Sequence, residues 1–162
     1  MYHTVIIGGG CLGAATAVSL QRKLNSIGKG EKVCLIEKAV LCAAESSRHS
    51  GIVRSANADP DASMMANLST KMWKDLSGIW GLKMELDEFG AIWIAKKNED
   101  GENPAWSELA ERMKKIDLKF EEISSKSAIS KCGTTLITDE NESYFFEPGA
   151  FQLDPSILRS TL

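Results

Sequence analysis

The feature that most constrains the fold is the glycine-rich segment GGGCLG at residues 8–13, directly after the β-branched run TVII at residues 4–7. Apolar residues then recur at helical spacing, so the order is strand, tight turn and helix. Gly8 permits the turn, Gly10 lets the backbone approach a pyrophosphate, and Gly13 lets the helix pack on the strand. The free N–H groups and positive dipole end of such a helix bind phosphates.

A second apolar run, VCLI at residues 33–36, has the composition of a buried parallel strand. It ends at Glu37, 24 residues after Gly13, close to the roughly 20 expected for a carboxylate that accepts hydrogen bonds from a ribose hydroxyl. The charge of Glu37 disfavours a 2′-phosphate. The sequence therefore predicts an α/β fold with a Rossmann-like βαβ unit on a parallel sheet, which binds the ADP half of a dinucleotide.

Composition excludes several classes of function. The net charge of -3 comes without a basic face, which argues against nucleic-acid binding. No apolar stretch approaches the roughly 20 residues of a membrane span, and the first strand begins too early for a signal peptide, so a cytoplasmic protein is expected. The four cysteines have no CxxC spacing and there are two histidines, so we expect structural thiols and no metal site.

Helical and strand patterns continue along the chain. The sequence predicts a core-facing helix entered at residues 59–61, two short strands within residues 84–95 joined at 88–90, and a helix over 104–115. A strand over 120–123 and a short helix over 125–131 follow. The apolar positions assigned to the first helix are Met64, Met65, Leu68, Met72, Trp73, Leu76 and Trp80.

Three segments resemble the D-amino acid oxidase-like FAD-dependent oxidoreductases, the family of sarcosine oxidase, glycine oxidase and D-amino acid dehydrogenases. The fingerprint at residues 5–17 with Glu37-Lys38 is the first segment, and ESSRHSGIVRS at 45–55 resembles the family's flavin-contacting loop. The third comprises FGAIWIA at 89–95 and EPGAFQLDP at 147–155. The resemblance implies FAD, bound by Gly8, Gly10, Cys11, Leu12, Gly13, Glu37, Lys38, Ser46, Ser47, Arg48 and His49.

Within the second segment, hydroxyl groups and backbone N–H groups can donate to pyrophosphate oxygens, and Arg48 or His49 can place positive charge beside the flavin ring. The catalytic residues stay unknown, with His49 and Arg54 as candidates. Arg54 is placed to meet the ring or a substrate carboxylate, or to form a surface ion pair.

The resemblance implies oxidation of the C–H next to an amine, in an amino acid or secondary amine, by hydride transfer to flavin. NAD-dependent dehydrogenation, oxidation of a 2-hydroxy acid and a flavin-binding subunit completed by a second chain stay open as alternatives. The implied domains are the N-terminal part of an FAD-binding domain at 1–80, the first part of an α+β substrate-binding domain at 81–147 and a return segment toward the FAD-binding domain at 148–162. At 162 residues, the chain is expected to be an N-terminal fragment, incomplete and inactive alone.

Overall fold

The computed structural model describes residues 2–79, 86–133 and 135–154. The chain divides into two compact units, and each is described here by itself. Unit 1 comprises the residues up to Gly51 together with those from Asp154 onward, and unit 2 comprises residues 52–153. The domain limits at residues 80 and 147 stay a prediction.

Unit 1 is a βαβ unit, as the sequence predicts. Strand β1 (Thr4–Ile7) leads through the glycine loop into helix α1 (Cys11–Ser26), and strand β2 (Val33–Ile36) follows. The two strands pair in parallel from Thr4 opposite Val33 to Ile7 opposite Ile36. Gly8 has φ = 105°, a left-handed conformation that glycine adopts without strain, so the chain turns sharply from β1 toward α1.

The expected burial of the second strand is wrong for the described residues. No residue of β2 is fully buried, and Ile36 is 50% exposed, while Ile7 of β1 is 86% exposed. The sheet of unit 1 contains only these two strands in the described residues. An all-apolar strand normally has neighbours on both faces of its sheet, and two strands do not provide them.

In the part of unit 2 that the structure describes, two antiparallel sheets combine with three helices. The larger sheet has the strand order β4-β6-β5, and β3 pairs with β7 in the smaller one. Its elements are β3 (Ile52–Val53), α2 (Pro60–Ile79), β4 (Ala91–Lys96), α3 (Pro104–Lys115), β5 (Glu121–Ile123), α4 (Ser125–Cys132), β6 (Glu142–Glu147) and β7 (Phe151–Gln152).

An aromatic cluster forms the core of unit 2, between α3 and the larger sheet. Phe145 is fully buried and stacks on Phe120, with ring centroids 5.5 Å apart and planes 6° from parallel. Trp106 of α3 lies 5.5 Å from Phe145 and 5.6 Å from Trp93 of β4. Met113 adds a fully buried thioether from the same helix.

Two local expectations differ from the structure. Of the apolar positions predicted for α2, the Leu76 side chain and Trp80 lie outside the described residues. Over residues 60–75, Met65 is 72% and Leu68 61% exposed, while the buried positions are Ser63 and Thr70. The spacing of Met65 and Leu68 is that of a buried face, but no described residue covers it. The first of the two strands within 84–95 falls partly outside the described residues, and Asp87 forms an isolated bridge to Gln152 instead of a hairpin with β4.

Candidate functional site

The glycine loop of unit 1 leaves the start of α1 open. A Cβ added at Gly13 would lie 1.9 Å from the carbonyl oxygen of Gly8, so only glycine lets the first turn of the helix pack this closely on the loop. The N-cap residue, Gly10, supplies no side-chain cap, and the first turn carries no acidic residue. The positive end of the helix is therefore free of a competing carboxylate.

Ser46 lies at this helix start. A short 3-10 turn (Glu45–Ser47) carries its hydroxyl oxygen to 3.0 Å from the backbone N–H of Cys11, from which it accepts a hydrogen bond. The hydroxyl hydrogen stays available to donate. Ser47 differs, because its hydroxyl donates to the carbonyl oxygens of Ala43 and Ala44, both at 3.1 Å.

Glu37 folds back onto the same loop. Its Oε2 accepts the Gly9 N–H at 2.7 Å, and its Oε1 accepts the Ala39 N–H at 3.0 Å. These bonds, the one from Gly9 first, lower the pKa of Glu37 below its ordinary value. A carboxylate has about four acceptor sites, so both oxygens of Glu37 can still accept from a ribose hydroxyl. Lys38 follows with an exposed side chain.

The arrangement fits the ADP half of a dinucleotide. Leu12 and Gly13 present backbone N–H groups at the open helix start, Ser46 adds a hydroxyl donor beside it, and Glu37 adds acceptors for the ribose. The oxygens of a pyrophosphate need hydrogen-bond donors and the hydroxyls of a ribose need acceptors. The loop and the residues beside it offer both. The predicted residues Gly8, Gly10, Cys11, Glu37 and Ser46 are thus brought together.

The loop at residues 8–13, with Glu37 and Ser46, is called the cofactor cradle. The contacts described for Arg48 and His49 lie outside it. The Arg48 side chain is 72% exposed and lies 4.0 Å from the Glu45 carboxylate, a weak surface ion pair. His49 accepts the Gly51 N–H through Nδ1 at 2.9 Å. Their predicted roles beside the flavin ring stay predictions.

Arg54 belongs to unit 2 and follows β3. Its guanidinium lies over the Trp93 ring, 4.4 Å from the centroid, and its Nη1 donates to the Ala56 carbonyl at 3.0 Å. Arg54 lines a cavity of about 370 Å³ whose other walls include Trp93, Trp106 and Arg112. No carboxylate in the described residues forms an ion pair with Arg54.

Arg112 adds a second guanidinium to this cavity. Its Nη1 lies 3.5 Å from the Ala58 carbonyl and its Nη2 lies 3.7 Å from Glu108 Oε1. Its Nε is buried without a hydrogen-bond partner in the described residues. A pocket with two guanidinium groups and two indole rings suits a small anion with an apolar or aromatic body.

Sequence reasoning missed one acid beneath this pocket. Glu147 is 1% exposed at the end of β6, and its carboxylate accepts hydrogen bonds from the Ser55 N–H, the Ala56 N–H and the Trp93 indole. The available signal was an acid closing a strand whose residues 143–146 are all buried. An acid at a strand end reads as exposed unless its distant partners are known.

The sequence pattern of the D-amino acid oxidase (DAO) family, described as "FAD dependent oxidoreductase", matches residues 3–162. The chain belongs to this family. The predictions of an FAD-dependent oxidoreductase family, its α/β fold and FAD as the family's cofactor are therefore confirmed. No curated protein matches the chain.

Solved structures of the same fold cover nearly the whole chain. L-proline dehydrogenase from P. horikoshii has a TM-score of 0.80 at 21% identity, over 99% of this chain and 40% of that protein. Glycine oxidase from Bacillus cereus ATCC 14579 has a TM-score of 0.72 at 21% identity, over 99% and 42%. L-amino acid deaminase from Proteus myxofaciens in complex with anthranilate has a TM-score of 0.73 at 18% identity, over 99% of this chain and 35% of that protein.

The chain of this DAO-family protein thus spans about 40% of the length of the first of these relatives. None of its described helices is both long enough and apolar enough to cross a membrane. Across residues 2–79, 86–133 and 135–154, no three His, Cys, Asp or Glu side chains group so as to hold a metal ion.

Proposed function

We propose that this chain contributes an FAD-binding unit and a carboxylate-binding pocket to an oxidoreductase that oxidises the C–H bond next to the amine of an amino acid or secondary amine. The single observation that carries the substrate class is the guanidinium of Arg54. It lies against Trp93 in a cavity of about 370 Å³ and has no carboxylate partner among the described residues.

The chemistry of that pocket favours a carboxylate. A guanidinium presents parallel N–H donors that match two carboxylate oxygens, and the Arg54 Nη1 bond to Ala56 leaves other donors of the group unused. Trp93 and Trp106 supply apolar walls for the rest of a small molecule. A structure of a relative contains anthranilate, a carboxylate on an aromatic ring, which agrees with such a pocket.

In this proposal each unit has its own task. FAD held by unit 1 would supply the acceptor for the hydride of the C–H bond next to the amine, and the imine product would hydrolyse in water. The residues of unit 1 bind the cofactor, through the N–H groups at the start of α1 and the Glu37 carboxylate. Arg54 binds the substrate carboxylate and so orients the rest of the molecule. His49, Arg48, Ser47 and Lys38 are proposed as further cofactor contacts.

Because the cofactor of the family is FAD, the NAD-dependent alternative falls away and two alternatives remain. A 2-hydroxy acid oxidoreductase would use the same carboxylate pocket, because its substrates carry that group as well. A flavin-binding subunit would purify together with a second chain.

The test uses the protein expressed from its complete gene, called the complete protein below. It is mixed without oxygen with proline, glycine, sarcosine or lactate, and the flavin absorption at about 450 nm is followed. We expect an amino acid or secondary amine to bleach the band and lactate not to. We expect Arg54→Met to abolish bleaching at the substrate concentration that half-saturates the unchanged protein. Bleaching by lactate alone would favour the hydroxy acid alternative.

A further inference from the structure

Arg54 is held by two neighbours in unit 2. The Trp93 ring lies beneath the guanidinium at 4.4 Å, and the Ala56 carbonyl accepts from Nη1 at 3.0 Å. Arginine has a long side chain with many accessible rotamers. Without such neighbours the guanidinium would occupy many positions, and only some of them would suit a ligand.

Both neighbours are held in turn by one buried carboxylate. Glu147 Oε2 accepts the indole N–H of Trp93 at 3.3 Å, and Oε1 accepts the N–H of Ala56 at 3.3 Å. Oε1 also accepts the N–H of Ser55, the residue next to Arg54, at 2.5 Å. Glu147 is therefore joined to the backbone on one side of the guanidinium and to the ring beneath it.

The position of Glu147 suits this task. It ends β6, the central strand of the larger sheet, and it is 1% exposed. By contrast, β3 before Arg54 has only two residues, and its one partner among the described strands is the short strand β7. The segment that carries Arg54 has little secondary structure of its own, so its backbone depends on the hydrogen bonds from Ser55 and Ala56.

We propose that Glu147 is a positioning residue for the carboxylate-binding guanidinium of Arg54. It holds the Trp93 ring and the Ser55–Ala56 backbone so that the guanidinium points into the pocket before the ligand arrives. Preorganisation of this kind raises affinity, because less side-chain entropy is lost when the ligand binds. This inference rests on the proposed function, because it assumes that Arg54 binds a carboxylate.

A purely structural role for Glu147 has a different consequence. A buried acceptor that only stabilises the fold would, when changed, lower stability and affect every ligand of the pocket alike. A positioning residue affects the ligand that uses the guanidinium more than one that does not. The carboxylate anthranilate and its uncharged amide, anthranilamide, differ in that one group and separate the two roles.

The experiment measures equilibrium binding of anthranilate and anthranilamide to the complete protein, with the melting temperature and flavin content of each variant. Glu147→Gln keeps the size of the side chain but replaces one acceptor oxygen by an NH₂ donor that faces an N–H group. The matched control is Glu121→Gln, the same change at an exposed position on β5 of the same sheet. Arg54→Met removes the guanidinium itself.

We expect Glu147→Gln to weaken anthranilate binding about tenfold, the scale of one charge-assisted hydrogen bond, and to leave anthranilamide binding and flavin content unchanged. Glu121→Gln changes neither ligand. In the Arg54→Met background, Glu147→Gln has no further effect on anthranilate, because the group that it positions is gone.

Three results would overturn the inference while leaving the proposed pocket intact. Equal weakening of both ligands would assign Glu147 a structural role only, and so would an additive effect in the Arg54→Met background. Unchanged anthranilate binding in a folded Glu147→Gln protein would remove the role altogether. If Arg54→Met does not weaken anthranilate binding, or if anthranilate binds no better than anthranilamide, the proposed carboxylate pocket is wrong and the role of Glu147 falls with it.

A second variant decides the matter if Glu147→Gln does not fold. Trp93→Phe keeps an aromatic face beneath Arg54 and removes the indole N–H that binds Glu147. Because Trp93 also lines the pocket, the readout is the ratio of the two affinities: we expect anthranilate binding to weaken about threefold more than anthranilamide binding, roughly half the energy of the full change. Equal effects on the two ligands in this variant would contradict the positioning role.

Discussion

The cofactor cradle of unit 1 and the Arg54 pocket of unit 2 are built from contacts of different range. The cradle is formed by backbone groups of residues 8–13, with Glu37 and Ser46 reaching 28 and 35 positions back to it. The pocket depends on Glu147, which binds Ser55 and Ala56 across 92 and 91 positions. A site made of backbone geometry is specified by a short glycine pattern, whereas a site made of side chains needs the fold to assemble it.

If the pocket depends on long-range packing, removing a ring from the core of unit 2 should have the largest effect. Phe145 is fully buried between Phe120 and Trp106. We expect Phe145→Ala to lower the free energy of unfolding by about 3–5 kcal/mol, measured by urea denaturation of the complete protein.

The control for that variant is Ile137→Ala, at a position 91% exposed, where we expect a change within about 0.5 kcal/mol. Anthranilate binding should weaken in Phe145→Ala and not in the control. A loss of stability below about 1 kcal/mol would mean that the aromatic cluster is not the core of unit 2.

In the cofactor cradle, by contrast, a single substitution in the glycine loop should be enough to weaken FAD binding. A Cβ at Gly13 would lie 1.9 Å from the Gly8 carbonyl oxygen, so Gly13→Ala must push the loop away from the start of α1. We expect FAD affinity to fall about 100-fold, or about 2.7 kcal/mol, measured by titration of the flavin-free complete protein.

Gly30→Ala is the matched control, because a Cβ at Gly30 meets no heavy atom within 4 Å, and it should leave the affinity unchanged. Equal affinity in the Gly13→Ala protein would show that the loop does not determine cofactor binding.

The smallest expected effect is a pH dependence at Glu37. Its pKa is lowered in the folded state, mainly by the hydrogen bond from Gly9. The stabilisation is therefore present above the ordinary pKa of a glutamate and is lost as the pH falls through the lowered value.

We expect the free energy of unfolding to decrease as the pH falls below the ordinary pKa of a glutamate and through the lowered one, and to decrease less in Glu37→Gln, which does not titrate. Because the side chain is partly open to solvent, the difference should be small. Identical pH profiles for the two proteins would contradict the assigned cause.

The same difference in range explains how much of the molecule the sequence could predict. The strand, loop, helix and strand of unit 1 were predictable because the glycine spacing, the helical period and the acid at Glu37 are local signals. Helix α3 was predictable within its observed bounds because Pro104 begins it and one face is apolar. These predictions require no knowledge of distant residues.

The remainder depends on contacts that no local pattern encodes. Glu147 looks like a solvent-facing acid at a strand end until the sheet places it beside Ser55 and Trp93. The exposed apolar face of α2 is the opposite case. The helical spacing of its apolar residues predicts burial, but no described residue packs over Met65 and Leu68. Periodicity indicates that a face is apolar and leaves open what lies against it.

The most direct test of the central claim, that the cradle of unit 1 binds FAD, is the visible absorption spectrum of the complete protein as purified. We expect flavin bands at about 370 and 450 nm. The Gly13→Ala protein should lose these bands and the Gly30→Ala protein should retain them. A colourless protein that binds NAD⁺ and takes up no FAD would contradict the claim.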